Sequence, residues 1–429
     1  MKNLFELFYK TTGVCTDSRN VIQDSLFICL RGANFNGNEF ANEALTKGAK
    51  FVISDDEKRC DNESVFYVED TLFFLQKLSN YHRLKFNIPI IGITGSNGKT
   101  TSKELINAVL STQYNVLATI GNLNNHIGVP LTLLNLTEKH QIAIIEMGAN
   151  KFFDIKELCD IAEPTHGIIT NIGKAHLEGF GNFEGVLKTK KELYDSIASN
   201  KGLIVYNQDD LVLKSTISSE IEKITYGTDA NADIVGELLE LTPYVEFKWK
   251  NKDYDSDIVK THLIGKYNFY NFLAAISFGV LFKISNENIN NALQSYNPTN
   301  NRSQVKETLS NTLILDCYNA NPTSMSSALE SFAQIKKENK IVILGDMLEL
   351  GEESLNEHTK IIDQLLDLKL SGFLIGSIFN SLGVKNTNLV TFINRFEFQD
   401  YLKSNILNKK MILLKGSRGI GLEKLEESL

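Results

Sequence analysis

The chain has 429 residues, of which 42% are hydrophobic and 22% are charged, with 52 acidic against 44 basic side chains. This length favours two or three domains. The formal charge of −8 argues against a general nucleic-acid binder, which needs a basic face. No apolar run approaches the roughly 18 residues of a membrane helix, and the N-terminus lacks a signal-peptide pattern. The five cysteines show no metal-ligand spacing, so we expect a soluble cytoplasmic enzyme with reduced thiols and no membrane insertion.

The first part of the chain is predicted to be a small α/β domain. Apolar runs at residues 25–30 and 50–54 indicate strands, and the periodicity of residues 71–84 indicates a helix. Pro89 disfavours helical structure in the residue before it. We therefore place the end of the first domain at residue 87.

The next segment alternates fully apolar strands with helices, which is typical of a mostly parallel sheet covered on both faces. The apolar runs are residues 89–94, 142–147, 166–173 and 202–207. Residues 222–262 alternate in β-fashion and predict an antiparallel addition to this sheet. A polar stretch at residues 295–304 marks a second boundary, so the central domain is predicted to span residues 88–300.

The last segment again shows strand-like runs, at residues 312–318, 340–347, 372–376 and 410–417. These runs predict a second, Rossmann-like α/β domain over residues 301–429. The fold class is therefore α/β, in three domains.

A phosphate-binding loop is indicated by the sequence GITGSNGKTT, which lies between an apolar strand and a helix. Gly95 and Gly98 let backbone N–H groups surround an anion at a helix N-terminus. Lys99 would neutralise the β- and γ-phosphates of ATP, and Thr100 would offer its hydroxyl to Mg²⁺. The strict pattern has glycine where this chain has Ile93, so a glycine-rich turn is the alternative. The residues predicted to contact the nucleotide here are Gly95, Ser96, Asn97, Gly98, Lys99, Thr100 and Thr101.

Three further residues are candidates for the same site. Glu146 ends an apolar strand, where ligands bind in open α/β sheets, although a lone glutamate there is usually only solvated. His176 follows the next strand, and by itself it reads as an exposed loop histidine. Lys190 falls on the apolar stripe of the helix at residues 183–198, whereas Lys188 points elsewhere. A lysine on such a stripe either extends its ammonium group to solvent or has a function.

Together these segments resemble the Mur ligase family, which adds amino acids to the bacterial peptidoglycan precursor, and the resemblance covers nearly the whole chain. The general motifs are GITGSNGKTT, THGIITNIGKAHLEGFG and GKYNFYNFLAA. The motifs typical of the branch that adds D-alanyl-D-alanine are TIGNLNNHIGVPLTLL, DCYNANPTSM, LGDMLELG and KGSRGIGLE.

The resemblance implies an ATP-dependent ligase, expected to be a monomer, that joins D-alanyl-D-alanine to UDP-N-acetylmuramoyl-tripeptide through an acyl phosphate. It implies that Glu146 and His176 bind Mg²⁺ and that Lys190, with Lys188 as the alternative, is carbamylated and becomes a metal ligand. The competing hypotheses are another Mur ligase, a folylpolyglutamate synthetase, or a nucleotide-regulated binding module.

Further roles are carried over from the resemblance position by position. Expected nucleotide contacts are Asn268, Asn271, Arg302, Asp316 and Tyr318. Expected contacts to the UDP-sugar are Ser18, Arg19, Arg31 and Gly32. Residues expected near the acceptor peptide are Asn124, Asn125 and His126. The family's usual histidine before Asn268 is here Tyr267.

Overall fold

The computed structural model describes residues 2–241, 243–384 and 388–429. Up to residue 87 the elements are α1 (Lys2–Phe8), β1 (Val14–Cys15), β2 (Leu26–Ile28), β3 (Arg31–Gly32), β4 (Phe35–Asn36), α2 (Ala41–Thr46), β5 (Phe51–Ser54), β6 (Val65–Tyr67) and α3 (Thr71–Arg83). Up to residue 170 they are β7 (Ile90–Thr94), α4 (Lys99–Leu110), β8 (Val116–Ala118), α5 (Gly128–Leu133), β9 (Ile142–Glu146), α6 (Asp154–Ala162) and β10 (His166–Ile169).

The elements from residue 171 to residue 300 are α7 (Leu177–Phe180), α8 (Phe183–Ser199), β11 (Leu203–Asn207), α9 (Leu211–Ser215), β12 (Glu222–Gly227), β13 (Ile234–Glu240), β14 (Glu246–Asn251), β15 (Tyr254–Asp255), β16 (Val259–Lys260), α10 (Lys266–Leu281) and α11 (Asn286–Ser295). The remaining elements are β17 (Gln304–Glu307), β18 (Thr312–Leu315), α12 (Pro322–Gln334), β19 (Lys340–Gly345), α13 (Ser354–Asp367), β20 (Gly372–Ile375), α14 (Ser377–Ser381), β21 (Leu389–Phe392), α15 (Arg395–Ser404) and β22 (Met411–Lys415). Short 3₁₀ helices occur at Gly37–Phe40, Glu57–Arg59, Gly351–Glu353, Arg418–Ile420 and Leu422–Ser428.

The chain divides into two compact units. The first contains residues 1–93, 114–149 and 153–167, and the second contains residues 94–113, 150–152 and 168–429. This division differs from the three predicted domains, whose boundaries remain a prediction. Within the described ranges, no helix has the length and apolar composition needed to cross a membrane.

In the first unit, the strands β1, β2, β5 and β6 form a parallel sheet in that order. The predicted helix at residues 71–84 is confirmed as α3, which begins after Asp70 because that carboxylate accepts a hydrogen bond from the Phe73 N–H at 2.8 Å. Its buried face packs Phe74 and Leu78 against the strands, and Leu134, which follows α5, joins the same core.

The largest sheet has the strand order β15-β14-β13-β12-β11-β10-β7-β9-β8, with β16 pairing to β14. Every residue of β7, β9 and β11 is buried, as predicted for parallel strands covered on both faces. The antiparallel part begins later than predicted. The strand β12 pairs in parallel with β11 and β13, and the antiparallel pairing starts between β13 and β14, which also pairs antiparallel with β15 and β16. Alternation indicates a strand but does not set the direction of its neighbour.

The C-terminal sheet, in the second unit, has the order β17-β18-β22-β19-β20-β21 and is parallel except for β17. One core cluster includes Leu329 of α12 and Leu365 of α13, and a separate cluster includes Phe398 of α15 and Leu425 near the C-terminus. Helices therefore cover this sheet from two sides, which confirms the predicted α/β class.

Candidate active site

The loop between β7 and α4 requires its two glycines. Gly95 has φ of +145°, and a Cβ atom there would lie 2.0 Å from Oγ1 of Thr170. Gly98 has φ of +79°, and its Cβ would lie 2.8 Å from Oδ1 of Asn271. Lys99 begins α4, and its Nζ donates to the backbone oxygen of Gly95 at 2.7 Å. The sequence thus folds into a tight loop with backbone N–H groups at a helix N-terminus, as an anion site needs.

Side chains that follow β10 fix this loop, and the sequence analysis gave them no role. The Asn171 side chain accepts a hydrogen bond from the Asn97 N–H at 3.1 Å and donates to the Asn97 oxygen at 2.9 Å. Thr170 donates to the same oxygen at 2.5 Å. The Ser96 hydroxyl donates to the Gly173 oxygen and accepts from its N–H. Thr170, Asn171 and Gly173 belong to the motif THGIITNIGKAHLEGFG. Their position could have been predicted, because β7 and β10 end at the same edge of the sheet.

The two asparagines of α10 lie beneath the same loop. Asn271 donates to Asn268 at 2.8 Å and accepts from the hydroxyl of Ser102, on α4, at 3.0 Å. Tyr267, which stands where the family usually has histidine, shares a hydrogen bond of 2.7 Å with the Ser303 hydroxyl. Asn268 and Asn271 are both buried and hydrogen-bonded inside the protein. Their contact with the nucleotide base stays a prediction, and their visible role is to support the start of α4.

Glu146 lies at the end of β9, directly opposite Ile93 of β7. The carboxylate is buried, and its Oε1 accepts a hydrogen bond from the Asn124 side chain at 2.8 Å. Its backbone N–H donates to the Thr119 hydroxyl at 3.0 Å. The other carboxylate oxygen, Oε2, is buried and has no hydrogen-bond partner among the described residues. A buried oxygen in this state is costly unless a cation or donor reaches it.

The neighbouring residues Asn125 and His126 have different surroundings. The Asn125 side chain accepts hydrogen bonds from the N–H groups of Ile127 and Gly128, so it caps the start of α5. His126 is exposed. The predicted contact of these residues with the acceptor peptide stays a prediction.

Lys190 is buried in α8 with 2% of its surface exposed, and its ammonium lies 5.8 Å from the centre of the Phe180 ring. Lys188 is exposed and lies 3.9 Å from Glu184. The structure therefore distinguishes the two lysines as the apolar stripe predicted. The apolar stripe was predicted to begin at Phe183, and this part of the prediction is wrong because Phe183 is exposed in the first turn of the helix.

The electrostatic surroundings of His176 include this lysine and the phosphate-loop residue Lys99. Burial lowers the pKa of His176, Glu349 raises it, and the positive charges of Lys99 and Lys190 lower it further. These three side chains are therefore close enough to His176 to act on its charge. The histidine Nδ1 lies 2.5 Å from Oε2 of Glu349.

The C-terminal segment brings an aromatic ring and several charges together. The Arg302 guanidinium lies 3.8 Å from the centre of the Tyr318 ring, and the Arg418 guanidinium lies 5.4 Å from it. Asp316 pairs with Lys415 at 2.5 Å. Lys415 and Arg418 were missed at the sequence level, although both belong to the quoted motif KGSRGIGLE. The Arg302 Nε is buried without a hydrogen-bond partner in the part of the chain that is described.

The start of α12 contacts the phosphate loop directly. Asn321 caps this helix by accepting from the Ser324 N–H at 2.9 Å, and its Nδ2 donates to Oδ1 of Asn97 at 2.7 Å. Beside it, the Thr323 hydroxyl accepts from the Lys174 N–H at 3.2 Å. One polar side chain thus serves both a helix cap and the phosphate loop.

The predicted UDP-sugar residues lie in loops and a hairpin of the first unit; they are Ser18, Arg19, Arg31 and Gly32. Arg19 is exposed and forms a two-point hydrogen bond with Asp17. Arg31 is half-exposed and pairs with Asp55 at 2.7 Å. The Ser18 backbone oxygen accepts a hydrogen bond from the Lys47 ammonium at 2.8 Å. Both guanidinium groups reach the surface, which suits binding of a diphosphate.

A divalent cation needs several oxygen or nitrogen ligands. Among the described residues, no three His, Cys, Asp or Glu side chains lie together as a metal site. The buried, partnerless Oε2 of Glu146 nevertheless fits a cation.

Three family models match the chain. They are described as Mur ligase family, catalytic domain, over residues 10–82; Mur ligase middle domain, over residues 93–279; and Mur ligase, glutamate ligase domain, over residues 301–418. The chain belongs to the Mur ligase family.

Individual members of the family match over nearly their full length. The chain is 34% identical to the UDP-N-acetylmuramoyl-tripeptide–D-alanyl-D-alanine ligase of Bacillus subtilis (strain 168), over 97% of this chain and 93% of that one. It is 31% identical to the ligase of the same name from Escherichia coli (strain K12), with the same two coverages of 97% and 93%.

Solved structures of MurF ligases are also similar to this chain. MurF from Acinetobacter baumannii is 29% identical, with a TM-score of 0.89 over 99% of this chain and 97% of that one. The MurF ligase of Thermotoga maritima, solved in complex with ADP, is 26% identical, with a TM-score of 0.87 over 100% and 98%. A folylpolyglutamate synthase of Thermotoga maritima is 14% identical with a TM-score of 0.59, which shows a shared fold alone.

Proposed function

We propose that this protein is the ATP-dependent ligase that joins D-alanyl-D-alanine to UDP-N-acetylmuramoyl-tripeptide in peptidoglycan precursor synthesis. The observation that carries the proposal is the full-length similarity to ligases of that name, at 34% identity over 97% of the chain. The site supports it with a tight phosphate loop, a buried carboxylate and a buried lysine.

The first step is transfer of the γ-phosphoryl group of ATP to the terminal carboxylate of the tripeptide. The bond between the β-γ bridging oxygen and γ-phosphorus breaks, ADP leaves, and a carboxylate oxygen forms the new bond to phosphorus. The chain's contribution is positioning and charge. The backbone N–H groups of the loop surround the phosphates, and the Lys99 ammonium stabilises the negative charge that develops on them.

Glu146, His176, Thr100 and carbamylated Lys190 are the residues proposed to hold Mg²⁺. Bound there, Mg²⁺ supplies positive charge to the phosphate oxygens. Lys190 is buried, and a lysine amine in its neutral form can react with CO₂ to give a carbamate. Carbamylation replaces a buried cation with an anion, which suits a site that must hold a metal ion.

In the second step, the neutral amine of D-alanyl-D-alanine attacks the carbonyl carbon of the acyl phosphate. The tetrahedral intermediate expels phosphate, the nitrogen loses a proton, and an amide bond remains. Activation by phosphorylation is needed because a free carboxylate is a poor electrophile. We assign the UDP-sugar to residues 1–87, ATP to residues 88–300, and D-alanyl-D-alanine with closure over ATP to residues 301–429.

The test is release of phosphate from ATP with defined substrate pairs. Release that requires both UDP-N-acetylmuramoyl-tripeptide and D-alanyl-D-alanine supports the proposal. Release stimulated only by a folate with glutamate, or only by a shorter nucleotide precursor with a single amino acid, would assign the protein to another ligase of this fold. Slow hydrolysis that no amine stimulates would indicate a nucleotide-regulated binding module. We place this activity in the cytoplasm, where ATP is available.

A further inference from the structure

Two residues with left-handed backbones meet where the C-terminal segment contacts the His176 loop. His176 has φ of +52° and Glu349 has φ of +64°. The histidine Nδ1 lies 2.5 Å from the Glu349 carboxylate, and the Glu349 backbone oxygen accepts from the Glu178 N–H at 3.5 Å. Neither residue is glycine, which adopts this backbone without steric cost. The contact therefore joins two conformationally unfavourable positions.

The ion pair between these two side chains is too exposed to offset that cost by itself. A left-handed backbone is unfavourable for any L-residue other than glycine, so both positions carry a cost. The side chains are 27% and 58% exposed, and an ion pair this exposed contributes little to stability. Backbone strain that stability does not explain is typical of functional sites.

The hydrogen bond between His176 and Glu349 can fix the orientation of the imidazole ring. A carboxylate that accepts a hydrogen bond from Nδ1 keeps the ring proton on that nitrogen and leaves the lone pair on Nε2. A histidine that binds a metal ion commonly has its second nitrogen fixed in this way. Glu349 belongs to the motif LGDMLELG, and the sequence analysis gave it no individual role.

We propose that Glu349 is a positioning residue that orients His176 toward the metal ion bound with ATP. The C-terminal segment thereby tunes the metal site through a side chain that does not itself touch metal or nucleotide. This inference rests on the proposed function only for the presence of a metal ion with ATP. Its experiments use neither peptide substrate, so it can fail or hold independently of the ligase assignment.

The first experiment reads the position of the histidine proton by ¹⁵N NMR of the imidazole in the metal-free protein. In the wild type we expect the proton on Nδ1. In Glu349→Ala we expect a shift toward the Nε2-protonated form. The matched control is Glu352→Ala, which removes an exposed carboxylate three residues away and should leave the spectrum unchanged. A wild-type proton on Nε2, or a spectrum that Glu349→Ala does not change, would overturn the proposal.

The second experiment measures Mn²⁺ affinity by electron paramagnetic resonance in the presence of ADP. Glu349→Ala should raise the Mn²⁺ dissociation constant about 10- to 100-fold, as loss of such a supporting residue typically does. Glu349→Gln keeps a hydrogen-bond acceptor and should recover part of that loss, and Glu352→Ala should stay within about twofold of wild type.

A double variant separates positioning from direct contact. In a His176→Ala protein, adding Glu349→Ala should change Mn²⁺ affinity little, because Glu349 acts through the missing ring. An additional loss there, or weaker ADP binding without metal, would show that Glu349 contacts the ligands itself and would overturn the proposal. Wild-type Mn²⁺ affinity in Glu349→Ala, or no Mn²⁺ binding by the wild type, would also overturn it.

Discussion

Replacing Asn124 with alanine tests whether this residue supports Glu146 or contacts the acceptor peptide. In the structure its amide donates to Oε1 of Glu146 at 2.8 Å, and Oε2 has no partner within the described residues. The substitution therefore leaves both oxygens of a buried carboxylate without a protein donor. A hydrogen bond to a charged group contributes about 1.5–3 kcal/mol, so we expect a loss of about that size in the free energy of unfolding.

Thermal unfolding measures this loss. For a domain of about 200 residues, each 1 kcal/mol lowers the melting temperature by about 2–4 °C, so Asn124→Ala should lower it by about 3–12 °C. Because a bound cation would partly satisfy the Glu146 carboxylate, Mg²⁺ with ADP should reduce the difference in melting temperature between Asn124→Ala and the wild type. In steady-state assays the apparent KM for Mg²⁺ should rise, while the KM values for both peptide substrates should stay near wild type.

Two controls make the result specific. Asn122→Ala removes an exposed amide from the same loop and should change neither the melting temperature nor the apparent KM for Mg²⁺. In a Glu146→Gln protein, Asn124→Ala should be much less costly, since the charge it supports is gone. An unchanged melting temperature with a raised KM for the tripeptide would refute this reasoning and favour direct contact with the peptide.

Three other outcomes follow from the geometry. Lys190→Ala should lower the ligation rate at least about 100-fold, with partial recovery when a small carboxylic acid is added. The exposed control Lys188→Ala should keep a near-normal rate. An active Lys190→Ala enzyme would contradict the metal-ligand role. Gly95→Ala places a Cβ 2.0 Å from a hydroxyl oxygen at φ of +145°, so calorimetry should detect no ADP binding; normal binding would contradict the loop geometry. Burial lowers the folded-state pKa of His82 and His358 below the ordinary 6.5, so the unfolded chain binds more protons and stability should fall as pH drops below about 6.5. A melting temperature that stays constant between about pH 7.5 and 5.5 would contradict this expectation.

Local patterns predicted much of the fold. The apolar runs at residues 89–94 and 142–147 became β7 and β9, because strands buried on both faces are continuously apolar. The helical stripe distinguished Lys190 from Lys188, because periodicity determines which side of a helix is buried. The role of Gly95 and Gly98 in the phosphate loop was also predicted, because the backbone conformation that requires glycine is a local property.

Contacts between distant segments left no comparable signal. Nothing in the periodicity of the sequence joins Asn321 to Asn97 or Glu349 to His176, since each pair is more than 170 residues apart and forms only when two loops fold together. Asn124 was predicted beside the peptide, and the structure places its amide on Glu146. A motif predicts that a segment is used, whereas the partner of each side chain depends on tertiary structure.

The central claim, that ATP activates the tripeptide carboxylate for attack by D-alanyl-D-alanine, is tested most directly with an ¹⁸O-labelled carboxylate. An acyl phosphate predicts that one labelled oxygen moves from the tripeptide to the released phosphate, and that the nucleotide product gains one D-alanyl-D-alanine by mass spectrometry. Unlabelled phosphate, or release that proceeds equally without D-alanyl-D-alanine, would contradict the account.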